Sequence, residues 1–176
     1  MNDSILRDIQ DKVPRCTYHV NIGIGHLVDA LDQYHVNLNP DYQRDHVWTP
    51  EQKRLFVGAM LENSRAIPPF WFNWTNKEFK HSDSEIVDGK QRLNALVDWL
   101  RGKIKAKCPC GVEVHYNDLT EIDHRNISSG VLMDWNFVDL DQKEVMEFYL
   151  RLNSGGTIHT EQELNKVKDL LINLDA

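Results

Sequence analysis

Apolar residues along the chain switch repeatedly between a two-residue and a helical period. "CTYHVNIGIGHLVDALDQ" alternates and then passes into a helix carrying Leu27, Val28 and Leu31. Val36 and Leu38 alternate again before a proline-bearing irregular segment that ends at Trp48. The next helix has full start signals: Thr49 as cap, Pro50 at the first position and Gln52 completing a capping box. Leu55, Phe56, Ala59 and Met60 are expected to share its buried face. "IPPFWFNW" predicts a strand starting after its two prolines. "IVD" predicts a brief strand leading into a helix that uses Leu93, Leu96, Val97 and Leu100 and stops at Gly102, with Asp88 as its N-cap.

The second half is less regular. "VEVHYN" alternates as a strand does, the polar stretch from Asp118 to Gly130 reads as an excursion, and "VLMDWNFVDL" supplies one or two strands. Asp141 and Glu144 form a capping box, with Leu140 and Val145 at the positions of a hydrophobic staple. Thr160 and Glu163 form another box, opening a terminal helix on Leu164, Val167 and Leu171. The first dozen residues are polar and read as a short helix or a loose arm. Strands and helices mix with no polar linker between them. The pattern therefore predicts an α+β fold, with an arm over 1–17 and one domain over 18–176, and not a Rossmann half.

Composition narrows the function. A chain of 176 residues, 41% apolar, suits a single core. No segment approaches the length of a membrane span and no secretory signal opens the chain, so a cytoplasmic location is expected. A net charge of −7, from 27 acidic and 20 basic residues, excludes nonspecific coating of nucleic acid but leaves room for a compact anion site. The five tryptophans are expected in the core or in pocket walls. Three cysteines cannot close a disulfide set. Cys108-Pro-Cys110 is tight spacing for a zinc pair and His115 falls in an alternating segment, so these cysteines read as loop or strand end.

Three stretches offer chemistry. In "EIVDGKQRLNAL" a helix start collects Lys90, Gln91 and Arg92 behind Gly89. Either that corner receives an anion at the positive end of the helix dipole, or Arg92 ties a surface turn to a carboxylate. Asp88 would hold Mg²⁺, meet a ribose hydroxyl, or serve only as the cap. A second reading takes Asp83, Glu85, Asp88 and Lys90 as a nuclease-like set, although a lysine in a helix turn fits that geometry poorly. In "NPDYQRDHVW", Gln43 and Arg44 either join Arg92 or pack under the turn. In "YLRLNSGGTIHTEQEL", Gly155-Gly156 permits an anion-binding nest or an ordinary capped connection, with Arg151 and Asn153 beside it. His124, Arg125 and Asn126 suggest a metal-nuclease pair only superficially and read as loop.

Taken together and in order, these stretches resemble the proline–x–x–glutamine–arginine–x–x–x–tryptophan, aspartate–glycine–glutamine–glutamine–arginine and arginine–x–asparagine–x–glycine–glycine motifs of the GmrSD-type N-terminal domain family. The resemblance spans roughly Tyr18 to Leu171. It implies a ParB-like, sulfiredoxin-like core and a role in DNA restriction and phage defence. It also implies nucleotide binding or hydrolysis in support of a separate HNH nuclease domain, for which this chain leaves no room. The motif positions are Gln43 and Arg44, then Asp88, Gly89, Gln91 and Arg92, then Arg151, Asn153, Gly155 and Gly156. Lys90 replaces the first glutamine of the second motif, which puts hydrolysis in question.

The expected function is a nucleoside triphosphate-binding and NTP-hydrolysing domain. Arg44 and Arg92 would clamp phosphates, Gln43 would orient water and Asp88 would hold Mg²⁺ or the sugar. Gly89, Lys90, Gln91, Arg151, Asn153, Gly155 and Gly156 would complete the nucleotide site. The alternatives are a metal-dependent DNA nuclease using the same corner, and a noncatalytic decoy or regulator that binds a nuclease partner.

Overall fold

The computed structural model describes residues 16–43, 48–63, 67–76 and 83–154, together with Val167, Asp169, Leu170 and Ile172. Five strands, β1 (Tyr18–Gly23), β2 (Val36–Asn37), β3 (Phe70–Trp74), β4 (Ser84–Asp88) and β7 (Leu132–Val138), form one mixed sheet in the order β1-β7-β3-β4-β2. β1 runs antiparallel to β7 and β3 antiparallel to β4, while β7–β3 and β4–β2 are parallel pairs. A short hairpin, β5 (Ala106–Lys107) with β6 (Glu113–Val114), makes a second sheet.

Strand alternation gives the large sheet two covered faces. Phe70, Phe72, Trp74, Ile86, Met133, Trp135 and Phe137 point to one side. There they meet Leu27 and Ala30 of α1 (Leu27–Gln33), Val57 and Met60 of α2 (Pro50–Glu62), and Leu93, Leu96 and Trp99 of α3 (Lys90–Leu100). The aromatic rings form a cross-strand stack: Trp74 lies on Phe137 at 4.2 Å and Phe72 on Trp135 at 4.5 Å. On the other side Val87, Val138 and Trp71 pack against Val145, Met146, Phe148 and Tyr149 of α5 (Gln142–Ser154), and Val167 adds to this second cluster. The mixed α+β architecture expected from the sequence is therefore present, and Trp74, Trp99 and Trp135 are core residues.

Helix starts follow their signals. Thr49 with Gln52 and Asp141 with Glu144 make the reciprocal cap bonds. Three expectations need correction. The buried side of α2 uses Val57, Gly58 and Met60, leaving Leu55 and Ala59 exposed, because hairpin backbone lies against Gly58. A β-carbon there would come within 2.0 Å of the Lys107 carbonyl oxygen. The polar stretch before Gly130 is helix α4 (Glu121–Gly130), started by a Thr120–Asp123 capping box, and it contains His124, Arg125 and Asn126. "VEVHYN" is strand only at Glu113–Val114 and then turns into a 3₁₀ segment, Tyr116–Asp118. The N-terminal arm and the Thr160–Glu163 box lie outside the described residues.

An ion pair joins α2 to α3: Lys53 Nζ is 2.6 Å from one oxygen of Asp98, and Lys103 Nζ is 3.3 Å from the other. Burial pushes the Asp98 carboxyl up, but Lys53 and Lys103 together hold it below its ordinary value. A carboxyl depressed in the folded state stabilises the fold fully above its unfolded pKa, about 3.9. That contribution is lost as pH falls through the lower folded-state value. Denaturant midpoints measured against pH should therefore fall in acid more steeply for the wild type than for Asp98→Asn, which should start lower at neutral pH.

Candidate anion site at the start of helix α3

The three chemistry-bearing stretches meet around β4 and its exit into α3. β2 pairs with β4 only at Ser84 and Glu85, which leaves the rest of that strand edge to be answered by other groups. Gln43 answers it: the side chain is buried, and Nε2 donates to the carbonyl oxygens of Ile86 at 2.6 Å and Val87 at 2.9 Å. Tyr42 beside it holds its hydroxyl 3.4 Å from Ile86 O and against the Glu85 carboxylate. Burial first, then Glu85, pushes the Tyr42 hydroxyl up, so it stays a neutral donor. Tyr42 also meets Tyr149 edge-on at 5.6 Å, linking the first stretch to the third. Farther on, the Trp48 amide donates to Gln91 Oε1 at 3.1 Å, linking the first stretch to the second.

Arg92 is the most heavily engaged group at this corner. Pro68 and Pro69 lead into β3, and Arg92 Nη1 donates to both of their carbonyl oxygens, at 2.5 and 3.2 Å. Nη2 donates to Asp88 Oδ2 at 2.6 Å, one helical turn back, and the guanidinium lies 4.8 Å from the centre of the Phe70 ring. Only 12% of the Arg92 side chain is exposed, against 35% of Asp88. Burial lowers the Arg92 pKa and Asp88 works against that shift, and an arginine keeps its charge throughout. Of the two sequence readings of Arg92, the structure shows the tie to a carboxylate.

Gly89, not Asp88, is the N-cap of α3, which corrects the sequence expectation. Asp88 is the last residue of β4, and its carboxylate is turned to Arg92. Gly89 has φ of +104°, and a β-carbon on it would come within 2.4 Å of the Phe70 ring. Phe70 thus floors both the glycine and the guanidinium. As a result, the N-cap residue of α3 makes no side-chain cap bond and the first turn has no acidic residue, whereas α2, α4 and α5 begin with capping boxes. Lys90 occupies the first helical position of this start.

The remaining site residues divide as follows. Arg151 is exposed in the last turn of α5, and Asn153 donates to Tyr149 O at 2.7 Å within the same helix. Arg44, Gly155 and Gly156 lie outside the described residues. The carboxylates of the nuclease-like set are dispersed. Asp83 accepts from Asn76 Nδ2 and meets His35 Nδ1, both at 2.8 Å. Glu85 is turned to Tyr42 and Asn73, and Asp88 to Arg92. Asn73 is a participant the sequence patterns did not single out. It donates to Leu140 O and Glu85 and accepts from Leu140 N, fastening β3 to the entry of α5.

Because Arg92 satisfies backbone carbonyls and a partly buried carboxylate without any ligand, Arg92→Ala should lower the stability of the ligand-free protein by about 1–3 kcal/mol. Chemical denaturation at neutral pH measures this, and an unchanged midpoint would show that the tie contributes nothing to the fold.

Comparison with known proteins fits this arrangement. The family model described as "GmrSD restriction endonuclease, N-terminal domain" matches residues 24–168, a stretch that includes all three converging segments. Neither a search of curated proteins nor one of solved structures gives a match. No helix among the described residues is long and apolar enough to cross a membrane. The chain belongs to the GmrSD restriction endonuclease N-terminal domain family, which links it to DNA restriction.

Proposed function

We propose that this chain is a nucleotide-binding domain of a restriction system, with the phosphates of a nucleoside triphosphate held at the start of α3. The observation that carries this reading is the contrast among helix starts. The start of α3, which carries the aspartate–glycine segment, has glycine as its N-cap and no acid in its first turn, and it carries Lys90. An uncapped helix start directs amide dipoles and partial positive charge outward, which suits a phosphate.

In this reading the residues divide between building and contact. Gln43, Gln91 and Arg92 are positioning residues that fix β4, the Trp48 segment and Gly89. The backbone at Gly89 and the Lys90 ammonium would meet phosphate oxygens. Asp88, engaged by Arg92 through Oδ2, would offer its other oxygen to Mg²⁺ or to a sugar hydroxyl. Arg44 would add a second cation from the segment that joins Gln43 to Trp48. The reaction such a site would support is attack of water on the γ-phosphorus, breaking its bond to the β-phosphate oxygen and releasing diphosphate nucleotide and phosphate. The bound nucleotide would act on DNA cleavage through a nuclease, so DNA or a nuclease protein is the expected partner.

Calorimetric titration of the four ribonucleoside triphosphates, with and without Mg²⁺, tests this reading. At least one should bind. Lys90→Glu, which reverses charge at the helix start without touching the Arg92 tie, should weaken binding about tenfold or more, equivalent to about 1.4 kcal/mol. Absence of heat from every nucleotide, or equal binding by the variant, would remove the assignment.

A further inference from the structure

The hairpin β5–β6 carries a second group of reactive side chains, away from the start of α3. Its tip is Cys108-Pro109-Cys110-Gly111. Gly111 N donates to Cys108 O at 2.8 Å and Cys108 N to Val112 O at 2.9 Å, closing a tight turn. Proline at the second turn position fixes the bend, and Gly111 takes φ of +88° to leave it. The turn folds both cysteines back toward Glu62, the last residue of α2. The two Sγ atoms and a Glu62 carboxylate oxygen all lie within 4.8 Å of one another. Among the described residues this is the one set of three potential metal ligands that converges so closely.

The arrangement is held in place without a metal. Gly58 admits the Lys107 backbone directly against α2. Lys107 Nζ pairs with Glu51 at 2.6 Å, and Arg54 binds both Glu113 at 2.5 Å and Lys105 O at 3.3 Å. At the far end Cys110 N donates to Glu62 Oε1 at 3.0 Å, which fixes the carboxylate while its second oxygen remains for another partner. Glu62 also sits at the negative end of its helix dipole, where a carboxylate is disfavoured unless a positive group compensates it. Two thiols and a carboxylate, brought together on rigid supports, repel one another when ionised, and a divalent cation reverses that repulsion.

We infer that Cys108, Cys110 and Glu62 form a binding site for a thiolate-preferring divalent cation of the zinc class, with water in the fourth position. Two thiolates select Zn²⁺ over Mg²⁺ or Ca²⁺, and the carboxylate completes three of four tetrahedral positions. The sequence missed this site because a cysteine pair with one residue between lacks the usual spacing. Its third ligand comes from the end of a helix 46 residues before Cys108 in the chain. A bound ion would rivet the hairpin to the C-terminal end of α2.

Titration of the full chain with Co²⁺ under reducing conditions tests the site. The expected result is one equivalent bound per chain, with a thiolate-to-cobalt charge-transfer band that Zn²⁺ abolishes. Cys108→Ser and Cys110→Ser should each lose most of the band, and Cys16→Ser should keep it. Glu62→Gln, which retains the acceptor for Cys110 N, should bind about tenfold more weakly or worse, since losing a ligand should cost at least what losing an outer-shell partner does. No charge-transfer band in the wild type would overturn the site, as would a band that survives in both serine variants. Unchanged affinity in Glu62→Gln would overturn the assignment of the carboxylate as a ligand.

Discussion

A guanidinium enclosed by protein must be met by acceptors, because an unpaired buried charge is far more costly than any single hydrogen bond returns. Arg92 meets that constraint with two proline carbonyls, the Asp88 carboxylate and the Phe70 ring. Much of the corner follows from it. The guanidinium holds the start of β3 beside the end of β4, and Phe70, lying beneath it, leaves space only for a glycine at the bend. With Asp88 turned toward Arg92, the N-cap position of α3 falls to Gly89, which has no side chain to cap the helix.

Glutamines complete the same frame. Gln43 continues the edge of β4 where β2 ends, and Gln91 takes the Trp48 amide just before α2 begins. Both are long neutral side chains that satisfy backbone groups without adding charge. Behind β4, Tyr42 and Asn73 engage Glu85, so that acid is turned away from the start of α3. The motif residues in the described segments are thus largely builders of one corner. On the proposed reading, contact with a nucleotide would therefore fall to the helix start and Lys90 and not to Arg92.

Much of this fold was legible in the sequence wherever the signal was local. The caps at Thr49 and Asp141, the strand after Pro69 and the α3 stripe are short-range patterns, and each appears as read. Helix α4 was missed because its face is only weakly apolar, although Thr120 and Asp123 carried a capping signal. The buried face of α2 was misplaced because hairpin backbone, arriving from elsewhere in the chain, selects Gly58 as the contact. At the corner, the sequence singled out Gln43, Asp88, Gly89, Gln91 and Arg92. It did not foretell that Arg92 would turn toward proline carbonyls, since no local pattern records where a neighbouring strand places its oxygens. The cluster of Glu62 with the two cysteines was hidden for the same reason.

On the proposed reading, intramolecular bonds build this corner and the phosphates of a nucleotide bind at the start of α3. Nuclear magnetic resonance of ¹⁵N-labelled protein during addition of a nucleoside triphosphate with Mg²⁺ tests it most directly. The largest shifts are expected at the backbone amides of Gly89, Lys90 and Gln91, with the Arg92 side-chain resonance little changed because its bonds persist. Shifts that leave those three amides untouched, or a large movement of the Arg92 signal, would contradict it.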